Sequence, residues 1–76
     1  MIDIVIVNYN STNYLVKCLS SIKSSLNGIP ADIFVQDNAS TDGIDIITNT
    51  FPEVSLTRNS RNIGFAAAVN KAMALG

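Results

Sequence analysis

Two short polar clusters carry the chemistry available to this chain. Gln36-Asp37-Asn38-Ala39-Ser40-Thr41-Asp42-Gly43 gathers two carboxylates, two side-chain amides and two hydroxyls in eight residues. Asn8-Tyr9-Asn10 sets an aromatic ring between two amides. Groups of this kind donate and accept hydrogen bonds, and a ring can stack, so the clusters suit recognition of a flat polar ligand. The chain has no histidine, which excludes His-based triads and His-ligated metals within this segment.

The elements around the clusters decide where they lie. Ile4-Val5-Ile6-Val7 is a continuous β-branched run, as expected of a strand buried on both faces of a helix-covered parallel sheet, and it ends at Asn8. Leu15, Cys18, Leu19, Ile22 and Leu26 form one helical stripe, with Ser11 or Thr12 as its expected cap and Asn27-Gly28 as its end. Asp32 to Gln36 reads as the second strand. Ile44, Ile47 and Phe51 read as the apolar face of a second helix, capped by Ser40, with Asp42 in its first turn and Pro52 as its stop. Val54 to Thr57 alternates as a third strand, expected to be more exposed than the first two. Gly64 opens an alanine-rich third helix that runs to Ala72 or Leu75. The order β-α-β-α-β-α predicts an α/β, Rossmann-like parallel sheet, in which both polar clusters fall at the ligand-binding edge. Residues 1–76 are expected to be the front portion of a larger domain, with a fourth strand next.

Composition narrows the partners. Of 76 residues, 47% are hydrophobic and 14% charged, which favours a packed core over disorder. A net charge of −1 with scattered basic residues argues against nucleic acid and against a membrane-surface helix. Lys17, Lys23 and Lys71 read as solvated. The single Cys18 reads as a small buried hydrophobe. The first apolar run lacks a basic leader and is short, so the chain is expected to start in the cytoplasm.

The loop after strand one separates the nucleotide folds. It has neither the G-x-G-x-x-G of dinucleotide folds nor the Gly-Lys-Ser/Thr of a P-loop, and Asp3 lies too early for a receiver-type acid pair. An aromatic flanked by amides suits stacking on a base and bonding its edge, worth about 1–3 kcal/mol per stacked base. Gly64 is expected to serve a positive φ or a close backbone approach. Asn62 and Asn70 divide between capping and ligand contact.

Three stretches together resemble the opening motifs of the family 2 glycosyltransferases, whose catalytic domain has the GT-A fold: Val5-Ile6-Val7-Asn8-Tyr9-Asn10, Asp37-Asn38-Ala39-Ser40-Thr41-Asp42-Gly43, and Asn62-Ile63-Gly64-Phe65-Ala66-Ala67-Ala68-Val69-Asn70. The second and third are similar to the rhamnosyltransferase-like branch. The resemblance covers Ile2 to about Leu75 and implies binding of the nucleotide of a nucleotide-sugar donor. It lays Tyr9 against a pyrimidine ring, with Asn8 and Asn10 beside it. Asp37 and Asn38 come to the base and ribose, and the connection holding Arg58, Arg61, Asn62 and Gly64 approaches the ribose and diphosphate. Asn38 stands where many members carry a second acid. Its amide oxygen can still accept a base N3–H, which uridine and thymidine both offer.

The resemblance also implies what these residues do not supply. The Mg²⁺ or Mn²⁺ ligands and the catalytic base of the full-length enzyme are expected after the fourth strand, so residues 1–76 contain no expected catalytic or metal-binding residue. The implied acceptor is a glycan or lipid-linked molecule, and peripheral association with the inner face of the membrane is expected of the full protein. The competing expectations are a catalytically inactive or non-enzymatic nucleotide-binding module and a flavodoxin-like interaction domain. The latter leaves Tyr9 and the third motif unexplained.

Overall fold

The computed structural model describes residues 2–75, so Met1 and Gly76 at the ends of the expected 1–76 unit lie outside the described residues. Its elements run β1 (Ile2–Asn8), α1 (Thr12–Leu26), β2 (Ala31–Asn38), α2 (Ile46–Thr50), β3 (Ser55–Asn59) and α3 (Phe65–Leu75). The strands form one parallel sheet in the order β1-β2-β3. The expected α/β, Rossmann-like alternation is thus present.

Register divides the side chains between two faces. Ile4, Ile6 and Asn8 of β1 stand opposite Ile33, Val35 and Asp37 of β2. Alternation along each strand sends these to one side. There Leu15 and Leu19 of α1, Ile44, Ile47, Phe51 and Val54 close the hydrophobic core. The other side carries Val5, Phe34, Gln36 and Asn38, and Val5 and Phe34 share a groove with Ala72 and Met73 of α3. Of α3, only Ala68 and Ala72 are fully buried, and these small side chains let the helix sit close on β1 and β2.

Several expectations need correction. Ile4 to Val7 is half-buried, because β1 is an edge of the sheet rather than an interior strand. Cys18 is exposed: it lines a shallow depression with Ile6 and Tyr14 along the edge strand β1. Strands β2 and β3 reach further than expected, so that Asp37, Asn38 and Arg58 are strand residues. Helix α2 is only five residues long and starts after Ile44, which is buried in the preceding turn. The three lysines read as solvated are exposed, and two of them also bond within the fold. Lys23 pairs with Glu53 at 2.9 Å and lies over the Phe51 ring, while Lys71 bonds Asn59.

Candidate functional site

At the carboxyl edge of the sheet, β1 and β2 end side by side with Asn8 opposite Asp37. Asp37 is fully buried, and the groups around it satisfy it. Its Oδ1 accepts from Asn8 Nδ2 at 2.9 Å and from Ser40 Oγ at 2.6 Å, and its Oδ2 accepts from the Ser40 amide at 2.9 Å. Ser40 Oγ in turn accepts from the Asn10 amide at 2.8 Å. Asn10 returns the tie, its Oδ1 accepting from the Thr41 amide at 2.8 Å. Asn10 itself has φ +46°, a conformation asparagine tolerates better than most residues. The two polar clusters are therefore one hydrogen-bonded unit.

This arrangement overturns the capping assignments. Ser40 does not cap α2: the hydroxyl is engaged by Asp37 and Asn10, and the residue at the cap of α2 is Asp45, which makes no side-chain cap bond. Neither Ser11 nor Thr12 caps α1 through its own side chain. The cap comes from thirty residues away, as Asp42 Oδ2 accepts the Thr12 amide at 2.9 Å and Oδ1 accepts the Thr12 hydroxyl at 2.6 Å. The Thr12 hydroxyl first, and its amide second, hold the Asp42 carboxyl below its ordinary range. Local spacing hides this cap, because its two halves lie on different motifs.

Tyr9 sits within this unit, between Asn8 and Asn10, and is 53% exposed. A ring on a backbone pinned at Asn8 and Asn10 is available for stacking without first leaving a core. Asn38 is buried on the opposite face of β2. Its Oδ1 accepts from Asn59 Nδ2 at 2.9 Å, and its Nδ2 reaches the Gly64 carbonyl at 3.4 Å. Asn62 Oδ1 accepts the Gly64 amide at 2.9 Å, closing the turn before α3. Gly64 has φ +81°, and a Cβ there would meet nothing within 4 Å, so the backbone angle rather than a close approach accounts for this glycine. Arg58 points to the core side of β3 and pairs with Asp45 at 2.7 Å, both side chains being largely exposed. An exposed pair of this kind is worth about 0–1 kcal/mol, so Asp45 does not tie the guanidinium down strongly. The structure thus brings Asn8, Tyr9, Asn10 and Asp37 together, and joins Asn38 directly to Gly64, whose amide bonds Asn62, with Arg58 at the side.

Asn59 and Lys71 were not expected at the site, and Gln36 of the first polar cluster lies beside them rather than at the open edge. Asn59 Nδ2 also donates to Gln36 Oε1 at 3.3 Å, and Lys71 Nζ donates to Asn59 Oδ1. Gln36 is fully buried, and its Nε2 has no partner. Such an orphan costs about 1–3 kcal/mol and calls for an explanation. A glutamine directly after the apolar run Ile33-Phe34-Val35 was the one available signal.

The carboxylates of this edge do not fit a divalent cation. Asp37 is engaged by Asn8 and Ser40, Asp42 by Thr12, and among the described residues no three acid, histidine or cysteine side chains cluster to hold one. Among the same residues no helix is long and apolar enough to cross a membrane.

An open parallel sheet with a braced polar cluster and an exposed aromatic at its carboxyl edge belongs to the Rossmann-like class of α/β folds. Residues 3–75 match the Glycosyl transferase family 2, and the chain belongs to that family, as the front part of its GT-A domain. It is 37% identical over 67 residues to the SPbeta prophage-derived glycosyltransferase SunS of Bacillus subtilis (strain 168), and to the glycosyltransferase SunS of Bacillus phage SPbeta. Those 67 residues are 87% of this chain and 15% of each relative, so the chain spans a small part of the curated relatives it matches.

Proposed function

We propose that these residues form the donor-binding part of an inverting glycosyltransferase of the rhamnosyltransferase-like kind. The enzyme moves a sugar from a UDP- or dTDP-linked donor to a glycan or lipid-linked acceptor during cell-surface polysaccharide synthesis. The observation that carries this reading is the exposed Tyr9 ring, set on a backbone that Asn8, Asn10, Asp37 and Ser40 hold rigid. A pyrimidine stacks on Tyr9, while the Asn62–Gly64 turn and Arg58 lie toward the ribose and diphosphate. The metal and the base that activates the acceptor are assigned to other parts of the enzyme. Calorimetry of the protein with UDP and dTDP tests the proposal: Tyr9→Ala weakens binding by roughly 5- to 150-fold, as loss of one stacking contact demands, with an unchanged melting temperature. Equal affinity of Tyr9→Ala and the unaltered protein would refute base stacking.

A second reading is favoured by the engagement of both site carboxylates, Asp37 and Asp42, within the fold. By itself this segment is a nucleotide-binding module without turnover. Binding of UDP by the 76-residue chain with no release of sugar from a UDP-linked donor is the outcome this reading requires.

A further inference from the structure

The polar layer beneath α3 has a direction, and one residue sets it. An ammonium group can only donate hydrogen bonds. Lys71 Nζ therefore obliges Asn59 to turn its oxygen toward α3. The Asn59 amide nitrogen is then turned toward β2, where it meets Asn38 Oδ1 at 2.9 Å and Gln36 Oε1 at 3.3 Å. With both oxygens facing Asn59, both nitrogens face away. Asn38 Nδ2 has only the long 3.4 Å contact to the Gly64 carbonyl, and Gln36 Nε2 has no partner. The order follows from the chemistry of Lys71, without any need to distinguish oxygen from nitrogen in each amide. Reversing any one amide would bring two donors or two acceptors face to face.

We propose that Lys71 is a positioning residue which, acting through Asn59, fixes Asn38 as a hydrogen-bond donor, so that this position reads a ring carbonyl of the nucleobase and not its N3–H. The inference rests on the nucleotide-binding reading above and deepens it. The 3.4 Å contact to Gly64 is the weakest link of the relay and the one a ligand carbonyl replaces. It departs from the expectation that the Asn38 oxygen accepts the base N3–H, because that oxygen already serves Asn59.

The test compares UDP with 2-thio-UDP and 4-thio-UDP, in which sulfur, a weak acceptor, replaces one ring carbonyl oxygen at a time and N3–H is kept. One of the two analogues binds the protein about 3- to 10-fold more weakly than UDP. Lys71→Arg, whose guanidinium also only donates, preserves that loss. Lys71→Met lets Asn59 turn and reduces the loss to less than about twofold, with a native melting temperature. Lys71→Gln, which can donate or accept, replaces the methionine variant if that one unfolds, and it too reduces the loss. Two results overturn the inference while leaving the nucleotide reading intact: both thio analogues binding as UDP does, or Lys71→Met keeping the full loss. Failure of UDP itself to bind removes the nucleotide reading and the inference with it. In that case the side-chain amide signals of Asn38 and Asn59 still report the relay, remaining single in the unaltered protein and doubling or broadening in Lys71→Met.

Discussion

Single side chains at the sheet edge act mainly by joining the two motifs. Ser40 is buried and serves Asp37, Asn10 and Asn8 at once. Ser40→Ala removes the acceptor for the Asn10 amide and a donor to a buried carboxylate. It is expected to destabilise the protein by about 1–3 kcal/mol, read as a lower urea midpoint at unchanged slope. Asp42 makes a pH-dependent tie. Its carboxyl is held below the ordinary value by Thr12, so the folded state favours the charged form. The stabilisation is therefore present above the unfolded aspartate value of about 3.9 and is lost as pH falls through the lower folded value. Asp42→Ala is expected to melt a few degrees below the unaltered protein at pH 7, with the gap closing below about pH 3.9. A gap that stays constant down to pH 2 would mean that the Thr12 tie does not depend on charge.

At the scale of elements, apolar spacing predicted which segments form but not how their ends are held. Leu15 and Leu19 mark α1, and Ile44, Ile47 and Phe51 mark the second helical segment, because burial against one sheet requires that periodicity. Caps are different, since any short polar residue near a helix start satisfies the local pattern. Only the fold shows that Asp42 reaches Thr12 while Ser40 turns back to Asp37. Strand ends were misjudged for a related reason: Asp37, Asn38 and Arg58 are polar but still pair in the sheet. The end of β2 also stores strain. Ala39 has φ +62°, a left-handed angle that costs an L-residue with a Cβ roughly 1–2 kcal/mol. It persists because Asp37 grips Ser40 on one side and Asn59 grips Asn38 on the other. Ala39→Gly relieves the strain at some cost in unfolded-state entropy, and a net gain of about 0.5–1 kcal/mol is expected in denaturant unfolding. A loss of stability would show that the alanine methyl contributes packing that outweighs the angle.

For the whole molecule, the sheet separates two tasks by face. One face holds the core, where Leu15, Leu19, Ile33, Val35, Ile44, Ile47 and Phe51 are shielded from water. The other carries α3 over small alanines and the layer of Gln36, Asn38, Asn59 and Lys71. The core side was legible in the sequence because apolar runs declare themselves. The polar layer was not, since Gln36 and Asn38 alternate on β2 but Asn59 and Lys71 join them from β3 and α3, which no local spacing links. The separation predicts that stability and recognition can be altered independently. Leu19→Ala opens a cavity at a fully buried position and is expected to cost about 2–5 kcal/mol, a large part of the roughly 4–11 kcal/mol expected for a domain of this size. Leu19→Met keeps the volume and costs less than about 1.5 kcal/mol. Because Leu19 and Lys71 pack on opposite faces and share no partner, the double variant Leu19→Met with Lys71→Met is expected to show additive stability changes within about 0.5 kcal/mol. Its discrimination between UDP and the thio analogues should match that of Lys71→Met alone. Chemical denaturation together with calorimetry measures both quantities on the same samples. A coupling well above 0.5 kcal/mol, or a shift in discrimination from Leu19→Met alone, would show that the two faces communicate through β2.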